Sequence, residues 1–328
     1  MIHRRVAAAV VALFAALSAQ SASAYDQLIV FGDSLSDNGN LAARFGGAVP
    51  GAPYDNGRFS NGPVSAEVLA SQLGLPLVDH AYGGALTGTG NQFQAQNPLV
   101  ANTGMQAQVS QFTGQLAASG KSADASALYM VWGGGNDFLA AIGTGDFAGM
   151  NTVVATAVTN LVTEVGTLYA AGARDFLIPL LPDLGTTYYG TSGQFPASLL
   201  SGLSASFNGV LTAQMNALKG TRPDLRLTIF DTPSVLAGVR ADIAAHGGNV
   251  TDRCWTGDYT GANATAPVCA DPGTYYLFDK VHPTGVVHDA VGKAMAASVS
   301  SVPEPVGSDL MLAGLLVTGV AVRRQRAA

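Results

Sequence analysis

The chain has 328 residues, 40 of them glycine, a formal net charge of −6 and only 12% charged residues. Soluble domains usually carry about a quarter charged residues, so this protein is unusually lightly charged as well as slightly acidic. Because nucleic-acid binding needs clustered lysine and arginine to neutralise phosphates, the composition argues against a nucleic-acid partner.

The N-terminus has the organisation of a secretory signal peptide. His3, Arg4 and Arg5 form a basic start, residues 6–17 are an apolar run, and residues 21–24 are small. The apolar run is shorter than the ~20 residues that a membrane-spanning helix needs, and the order of its parts is that of a cleaved signal. We therefore expect residues 1–24 to direct export and to be removed, which leaves one domain over residues 25–301.

Five short apolar runs are predicted to be strands, at residues 27–31, 77–81, 127–132, 176–180 and 225–230. Helical spacing of apolar residues is found at residues 64–73, 150–171, 198–218 and 284–299, and a helix preceded by a loop is expected within residues 92–115. Residues 231–279 are predicted to be loop-rich. Strands that alternate with helices of this length predict a parallel sheet covered on both faces, which is a three-layer α/β/α sandwich.

The first predicted strand runs into the segment Gly32-Asp33-Ser34-Leu35. In open α/β folds the ligand lies in the crevice outside the carboxyl ends of the strands, so Ser34 is predicted to stand at the mouth of the sheet. A serine hydroxyl is a weak nucleophile until a base takes its proton. The interpretation therefore depends on a base, an orienting carboxylate and an oxyanion hole elsewhere in the chain.

Candidates for these roles lie after later strands and in the last loop. Gly83-Gly84-Ala85 follows the second strand, and Gly134-Gly135-Asn136-Asp137 follows the third. The last loop contains Asp279 and His282, which are three residues apart and can therefore lie on the same side of a turn. Pro283 disfavours helical backbone at the preceding residue, so His282 is predicted to sit in an extended turn before the closing helix.

These four segments, in this order, resemble the sequence blocks of the GDSL, or SGNH, hydrolase family, and the resemblance spans residues 29–284. Residues 57–62 (Gly-Arg-Phe-Ser-Asn-Gly) and 181–185 (Leu-Pro-Asp-Leu-Gly) are similar to the lipase, phospholipase and haemolysin branch of that family. The resemblance implies a flavodoxin-like SGNH-hydrolase fold with a five-stranded parallel sheet. It also implies a reaction without a metal or a cofactor.

The resemblance further implies a role for each candidate residue. Ser34 would attack the ester carbonyl, His282 would take the serine proton, and Asp279 would orient the imidazole. The oxyanion would be held by the N–H groups of Ser34 and Gly84 and by the side-chain amide of Asn136.

One position departs from that branch of the family. Asp79 stands five residues before Gly84, where the branch usually has asparagine, and this leaves open how the second turn is braced. Arg58 could either meet an acidic head group or pin its own loop. The polar residues that we expect to brace their turns through bonds to the backbone are Asp33, Asp37, Asn38 and Asp137.

The remaining histidines and aromatic residues are interpreted as structural. His80 and His246 are expected to have no chemical role, and His288 is expected on the surface of the closing helix. The aromatic residues expected in the core rather than in an acyl pocket are Trp132, Tyr275, Tyr276 and Phe278.

The only two cysteines, Cys254 and Cys269, lie in one segment rich in glycine, asparagine and threonine. In an exported protein two such cysteines are expected to form a disulfide. No histidine at ligand spacing accompanies them, so they do not predict a metal site.

The C-terminus combines Pro303-Glu304-Pro305, a mostly apolar run over residues 306–322 and a basic end over residues 323–326. An apolar stretch that ends in basic residues suits a membrane span with its basic end inside. The order of the parts resembles the PEP-CTERM sorting signal of Gram-negative bacteria, which an exosortase-type peptidase recognises and removes. The resemblance implies that residues 302–328 are a sorting tail with transient membrane contact, and that the mature protein is extracellular or on the cell surface.

The sequence therefore predicts an exported serine ester hydrolase, a lipase or esterase, whose substrate is a lipid or an acylated small molecule. Two other reactions remain open: deacetylation of a matrix polysaccharide by a carbohydrate O-acetylesterase, and acyl transfer to an alcohol. The alternative from another class is a non-catalytic surface or matrix protein that keeps the fold. The intact set of five candidate residues argues against it, because a chain that no longer needed catalysis should have lost at least one of them. Fold alone does not establish activity, so this alternative stays open.

Overall fold

In the computed structural model of the chain, residues 25–145, 147–257 and 263–300 are described. The predicted signal peptide, residues 1–24, and the predicted sorting tail, residues 302–328, lie outside the described residues. Both therefore stay predictions, as do the domain boundaries drawn from them.

Five parallel strands form the central sheet. They are β1 (Leu28–Gly32), β2 (Leu77–Asp79), β3 (Leu128–Trp132), β4 (Asp175–Pro179) and β5 (Arg226–Phe230). Their order is β2-β1-β3-β4-β5, and every neighbouring pair is parallel. The predicted five-stranded parallel sheet is confirmed. Because the chain runs from β1 to one edge and then crosses to the other side of β1, the sheet has a topological switch point between β1 and β3.

Alternate side chains of the central strands enter two separate cores, because successive residues of a strand face opposite sides of a sheet. In β1, Ile29 and Phe31 belong to one core, whereas Leu28 and Val30 belong to the other. Strands that are buried on both faces have continuous apolar sequences. This is why β1 and β3 can be recognised from the sequence.

Nine α-helices are found among the described residues. They are α1 (Asn40–Arg44), α2 (Ser65–Leu73), α3 (Met105–Ala118), α4 (Gly135–Thr144), α5 (Met150–Ala171), α6 (Tyr188–Thr191), α7 (Ala197–Gly220), α8 (Thr232–Ala245) and α9 (Gly285–Ser300). Helices α3, α4, α5 and α7 pack on the Ile29 face of the sheet, and α2, α8 and α9 pack on the Leu28 face. The predicted three-layer α/β/α sandwich is thereby confirmed.

Four of these helices, α1, α4, α6 and α8, are not predicted from the sequence. α4 begins within the glycine run of residues 133–135, which favours a loop interpretation, and α8 lies inside the segment predicted to be loop-rich. α8 contains Pro233 in its first turn and is capped by Asp231, whose Oδ1 atom accepts the N–H of Ser234 at 3.1 Å. Proline in the first turn after an aspartate cap is a helix start signal. The same segment contains a parallel pair, β6 (Asn249–Arg253) and β7 (Tyr275–Leu277), so the loop-rich prediction for residues 231–279 is wrong over these elements.

Helix α5 carries a carboxyl group into the core. Glu164 is 1% exposed and packs among apolar residues, and neither of its carboxyl oxygens has a hydrogen-bond partner within the described part of the chain. Burial, with a smaller contribution from the negative charge of Asp137, raises the pKa of Glu164 well above its ordinary value. The folded protein therefore favours the protonated side chain.

Replacing Glu164 with methionine, which has a similar length, is expected to raise the free energy of unfolding at pH 8 by about 1–3 kcal/mol. In the unfolded chain the glutamate ionises at its ordinary pKa, whereas in the folded chain it stays neutral to a higher pH. The unfolding free energy of the unmodified protein therefore falls as pH rises from the unfolded pKa towards the folded one, and Glu164→Met should lose this part of the fall. Urea unfolding at pH 4 and pH 8 measures the difference. Thr163→Met, on the exposed side of the same helix, is the control, and equal pH slopes for both variants would contradict the account.

Candidate active site

The structure brings together three side chains from the two ends of the domain. Ser34 lies in the turn after β1, and Asp279 and His282 lie in the loop between β7 and α9. The Nε2 atom of His282 is 2.8 Å from the Oγ atom of Ser34, and its Nδ1 atom is 2.6 Å from the Oδ2 atom of Asp279. Ser34, His282 and Asp279 are 8%, 4% and 0% exposed. In this arrangement a histidine can take the serine proton while a carboxylate fixes the imidazole.

The turn that carries Ser34 is held by polar contacts. The Oδ1 atom of Asp33 accepts the N–H of Leu35 at 3.0 Å. The side-chain amide of Gln108, from α3, accepts the N–H of Gly32 at 3.0 Å and donates to the Gly32 carbonyl at 2.8 Å. Burial raises the pKa of Asp33 to about 6. Asp33 therefore braces the turn, as expected, while Gln108 anchors the end of β1.

Asp279 accepts hydrogen bonds on both of its oxygens. The Tyr54 hydroxyl donates to its Oδ2 atom at 2.5 Å, and the N–H groups of Val281 and His282 donate to its Oδ1 atom at 2.8 and 2.7 Å. Burial alone would raise the pKa of Asp279. The charge of His282 and the hydrogen bonds from His282 and Tyr54 outweigh this effect and hold the pKa below its ordinary value. Asp279 therefore faces the imidazole as a carboxylate.

An aromatic cluster and a disulfide support the loop that carries Asp279. The ring of Tyr54 contacts the rings of Trp255 and Phe278, with centroid distances of 5.1 and 5.4 Å. The N–H of Trp255 donates to the Phe278 carbonyl at 2.7 Å. Cys254, the neighbour of Trp255, forms a disulfide with Cys269. Both cysteines are thus used in this bond, and the described residues contain no group of three or more His, Cys, Asp or Glu side chains that could hold a metal ion.

Two main-chain donors lie beside the Ser34 hydroxyl. Within residues 25–145, 147–257 and 263–300, no protein acceptor bonds the N–H of Ser34 or that of Gly84, and both residues line one small cleft with His282. Gly84 has a φ angle of +76°, and a Cβ atom there would come within 2.7 Å of the Asn91 Oδ1 atom. Glycine alone adopts this backbone conformation without strain in so tight a place.

Asn136 lines the same small cleft from the start of α4. Its Nδ2 atom donates to the Ala85 carbonyl at 3.0 Å, and its Oδ1 atom accepts a hydrogen bond from the Nε2 atom of Gln92 at 2.7 Å. Because a side-chain amide carries two N–H hydrogens, one remains for a ligand in the cleft. The structure thus gathers Gly84 and Asn136, both singled out in the sequence, around Ser34.

Two residues of the site escape the sequence analysis. Tyr54 lies in a long loop without a motif, and Gln92 lies in a glutamine-rich stretch that gives no reason to choose one glutamine over another. Both are identified only by contacts across the fold, to Asp279 and to Asn136. No sequence signal could have found them.

The position that departs from the family pattern still braces the second turn. The Oδ1 atom of Asp79 accepts the N–H of Ala81 at 2.8 Å, and its Oδ2 atom accepts the N–H of Asn38 at 3.1 Å. The Oδ2 atom of Asp37 accepts the N–H of Gly83 at 2.7 Å. Burial raises the pKa of Asp37 to about 6 and raises that of Asp79 well above its ordinary value. Asp79 and Asp37 therefore tie the Ser34 turn to the Gly84 turn.

Asp137 is expected to brace its own turn, but its carboxylate bonds a loop 50 residues earlier in the chain. The carboxylate of Asp137 accepts the N–H and the hydroxyl of Thr87 at 3.1 and 2.8 Å.

Arg58 donates to both carboxylate oxygens of Glu67, at 2.6 and 2.7 Å, and to Asp55 at 3.1 Å. Arg58 therefore pins its own loop, which is one of the two roles considered for it.

The prediction that His288 is a surface residue is wrong. It is 1% exposed, and its Nδ1 atom accepts the N–H of Ser65 at 3.2 Å. Helix α9 packs along α2, so that the face of α9 bearing His288 is covered. Burial is the main reason that the pKa of His288 falls to about 3, which leaves the imidazole neutral.

A second, mainly apolar cleft opens beside Ser34 and His282. Its apolar lining includes Leu35, Leu139, Leu181, Leu184, Leu236 and Val291. Trp132 and Tyr276 are buried, as expected, but they also line this cleft. These two residues therefore belong to the core, as expected, and also border the cleft.

The chain is similar to one known protein family and to several known proteins. The sequence model described as GDSL-like Lipase/Acylhydrolase matches residues 28–295. The phosphatidylcholine-sterol acyltransferase of Aeromonas hydrophila is 27% identical over 327 residues, covering 87% of this chain and 93% of that protein. Esterase EstA of Pseudomonas aeruginosa is 29% identical over 333 residues, covering 85% of this chain but only 47% of EstA. The solved structure of Axe2, an acetylxylan esterase from Geobacillus stearothermophilus, is 12% identical with a TM-score of 0.43, over 84% of this chain and 94% of that one.

Proposed function

The chain belongs to the GDSL-like lipase/acylhydrolase family, and from this premise we propose that it cleaves carboxylic esters through an acyl-enzyme on Ser34. The observation that carries the proposal is the unbroken hydrogen-bonded series from the Ser34 hydroxyl through His282 to Asp279, at 2.8 and 2.6 Å. A serine placed only for structure has no need of a histidine held from behind by a carboxylate.

In the first half of the reaction, the Ser34 Oγ atom attacks the ester carbonyl while the His282 Nε2 atom takes the serine proton. As the ester C–O bond breaks, His282 gives that proton to the departing alcohol, and the acyl group stays on Ser34. In the second half, His282 takes a proton from water, and the water oxygen attacks the acyl carbonyl. The proton then returns to Ser34, and Asp279 stabilises the imidazolium without being protonated.

Negative charge collects on the carbonyl oxygen in both halves. The N–H groups of Ser34 and Gly84 and the free amide hydrogen of Asn136 would donate to that oxygen. Fixed donors of this kind stabilise the transition state more than the substrate, and losing one costs about 3 kcal/mol. Because the two main-chain donors have no acceptor within the described residues, they need no rearrangement before they bind the oxyanion.

The apolar cleft favours a lipid or an acyl ester longer than acetyl. Its lining would remove methylene groups from water, and each buried methylene contributes about 0.8 kcal/mol. An acetyl group has only one methyl to place against this lining. The cleft therefore supports a lipase or esterase over the carbohydrate O-acetylesterase alternative.

A chain-length series of p-nitrophenyl esters tests this choice. We expect kcat/KM for the octanoate to exceed that for the acetate by at least about tenfold, since several methylene groups are buried. Leu236→Trp, which narrows the cleft, should lower turnover of the octanoate but not of the acetate. Leu199→Trp, at an exposed position, is the matched control and should change neither.

Other outcomes would favour the alternatives. A preference for acetate together with acetate release from an acetylated polysaccharide would overturn the lipid assignment. Ester products formed on addition of a long-chain alcohol would show that acyl transfer accompanies hydrolysis. Failure to turn over any ester would favour the non-catalytic surface protein.

We also propose that the protein is exported and that its tail is removed by an exosortase-type peptidase. The basic and apolar start of residues 1–24 and the Pro-Glu-Pro motif support this route. The disulfide between Cys254 and Cys269 is of the kind that persists in oxidising compartments. Mass spectrometry of the secreted protein tests the route, because an intact C-terminal Arg326 would contradict tail removal.

A further inference from the structure

One glutamine contacts two of the three groups assigned to the oxyanion hole. The main-chain N–H of Gln92 donates to the Gly84 carbonyl at 3.0 Å, and its side-chain Nε2 atom donates to the Asn136 Oδ1 atom at 2.7 Å. Gln92 is half-buried and lines the small cleft that also contains Ser34 and His282. It therefore lies where it can control the orientation of both donors.

The orientation of the Asn136 amide follows from its two partners. The Ala85 carbonyl can only accept, so the group facing it at 3.0 Å is the Nδ2 atom of Asn136. The other end of the amide, Oδ1, then faces Gln92, which must present its own N–H group. Each end of the Asn136 amide is thus fixed by a different residue, and the second Nδ2 hydrogen is left for the cleft.

Without the contact from Gln92, only one hydrogen bond opposes rotation of the amide. A rotated amide presents its oxygen towards the substrate carbonyl, which repels the oxyanion instead of stabilising it. Electrostatic stabilisation of a transition state depends on donors that are oriented before the charge develops. The hydrogen bond from Gln92 to the Asn136 Oδ1 atom is therefore as important for the orientation of the amide as the hydrogen bond from its Nδ2 atom to Ala85.

We propose that Gln92 is a positioning residue for the oxyanion hole: its side chain fixes the Asn136 amide in the donating orientation, and its N–H steadies the Gly84 turn. The proposal rests on the proposed ester hydrolysis. Gln92 acts through Asn136 and Gly84 rather than on the substrate.

Two substitutions separate the side-chain role from the main-chain role, since both keep the N–H bond to Gly84. Gln92→Met keeps the length and removes the donor, and we expect kcat to fall about tenfold with KM nearly unchanged, because the lost interaction acts in the transition state. Gln92→Glu places a carboxylate against the Asn136 oxygen, and we expect a fall of about a hundredfold, since repulsion favours the rotated amide. Gln96→Met and Gln96→Glu, at an exposed position of the same loop, are matched controls that should retain full activity.

A merely structural role would predict a different pattern. Affinity for an alkyl trifluoromethyl ketone, which forms a tetrahedral oxyanion on the serine, should fall in the Gln92 variants by the same factor as kcat. The urea midpoint of unfolding should stay at that of the unmodified protein. Two results would overturn the proposal. One is a fall in the urea midpoint that accompanies the fall in kcat, and the other is unchanged inhibitor affinity in Gln92→Met.

Labelling by a p-nitrophenyl alkylphosphonate distinguishes failure of this proposal from failure of the proposed function. The reagent reports attack by Ser34 through p-nitrophenol release and a mass increase, and it needs no knowledge of the natural ester. If the unmodified protein is not labelled at Ser34, the proposed function itself is wrong. If it is labelled and Gln92→Met is labelled at the same rate, only the role of Gln92 is wrong.

Discussion

Ser34→Ala is expected to lower kcat/KM for p-nitrophenyl esters by about a million-fold, to the level left by binding and the oxyanion donors alone. The substitution removes the Oγ atom that lies 2.8 Å from the His282 Nε2 atom, and no acyl-enzyme can then form. The fold should persist, because the hydroxyl is at the mouth of the sheet and the turn is held by Asp33 and Gln108. Steady-state kinetics and urea unfolding of the purified variant measure the two quantities.

Ser36→Ala provides the matched control for that experiment. Ser36 lies in the same turn and is fully buried, but its Oγ atom has no hydrogen-bond partner among the described residues. Its removal should leave turnover within about twofold, since no reacting atom is touched. Retention of activity by Ser34→Ala, or equal losses in both variants, would rule out Ser34 as the nucleophile.

Asp279→Asn is expected to lower kcat by about 10⁴-fold while the fold is kept. The carboxylate accepts from His282 Nδ1 at 2.6 Å, so that Nδ1 carries the hydrogen and Nε2 is free to take the serine proton. An asparagine oxygen already bonded by the main-chain N–H groups of Val281 and His282 would turn its amide N–H towards Nδ1. The imidazole would then hold its hydrogen on Nε2, where it cannot act as a base towards Ser34.

Asp289→Asn controls for the loss of a negative charge near the end of the chain. The side chain of Asp289 on α9 is 46% exposed and, among the ion pairs of the described residues, pairs only with Lys293, at 2.7 Å. Exposed pairs of this kind contribute little to stability, so activity and unfolding should change little. A loss of less than about tenfold in Asp279→Asn would show that the imidazole is oriented without this carboxylate.

The sequence predicts a helix or a strand wherever that helix or strand has its own local pattern of apolar and terminating residues. Helix α5 (Met150–Ala171) is predicted with both ends correct, because its apolar spacing ends at Gly172, which has a φ angle of +126°. Strands β1 and β3 are buried on both faces and are continuous apolar runs. Helix α8 is not predicted, because its apolar spacing is weak, although Asp231 and Pro233 form a helix start signal.

The residues of the candidate site likewise fall into two groups, those with a local sequence motif and those without one. Motifs single out Ser34, Gly84 and Asn136, because each needs a specific residue type in a short turn. Tyr54 and Gln92 were missed, since each acquires its role only through a contact with a residue distant in the sequence. The buried position of His288 likewise depends on α2, more than 200 residues earlier (Ser65 and His288 are 223 positions apart). Contacts between residues so far apart produce no periodic pattern in the sequence.

The hydrogen bond between Ser34 and His282 joins positions 248 residues apart. A chain that leaves the ribosome, or threads through an export channel, with its N-terminus first delivers the hydroxyl long before the imidazole. Any nascent fragment that stops short of His282 lacks its proton acceptor. On the proposed mechanism, the Ser34 hydroxyl of such a fragment stays a weak nucleophile, because no base takes its proton.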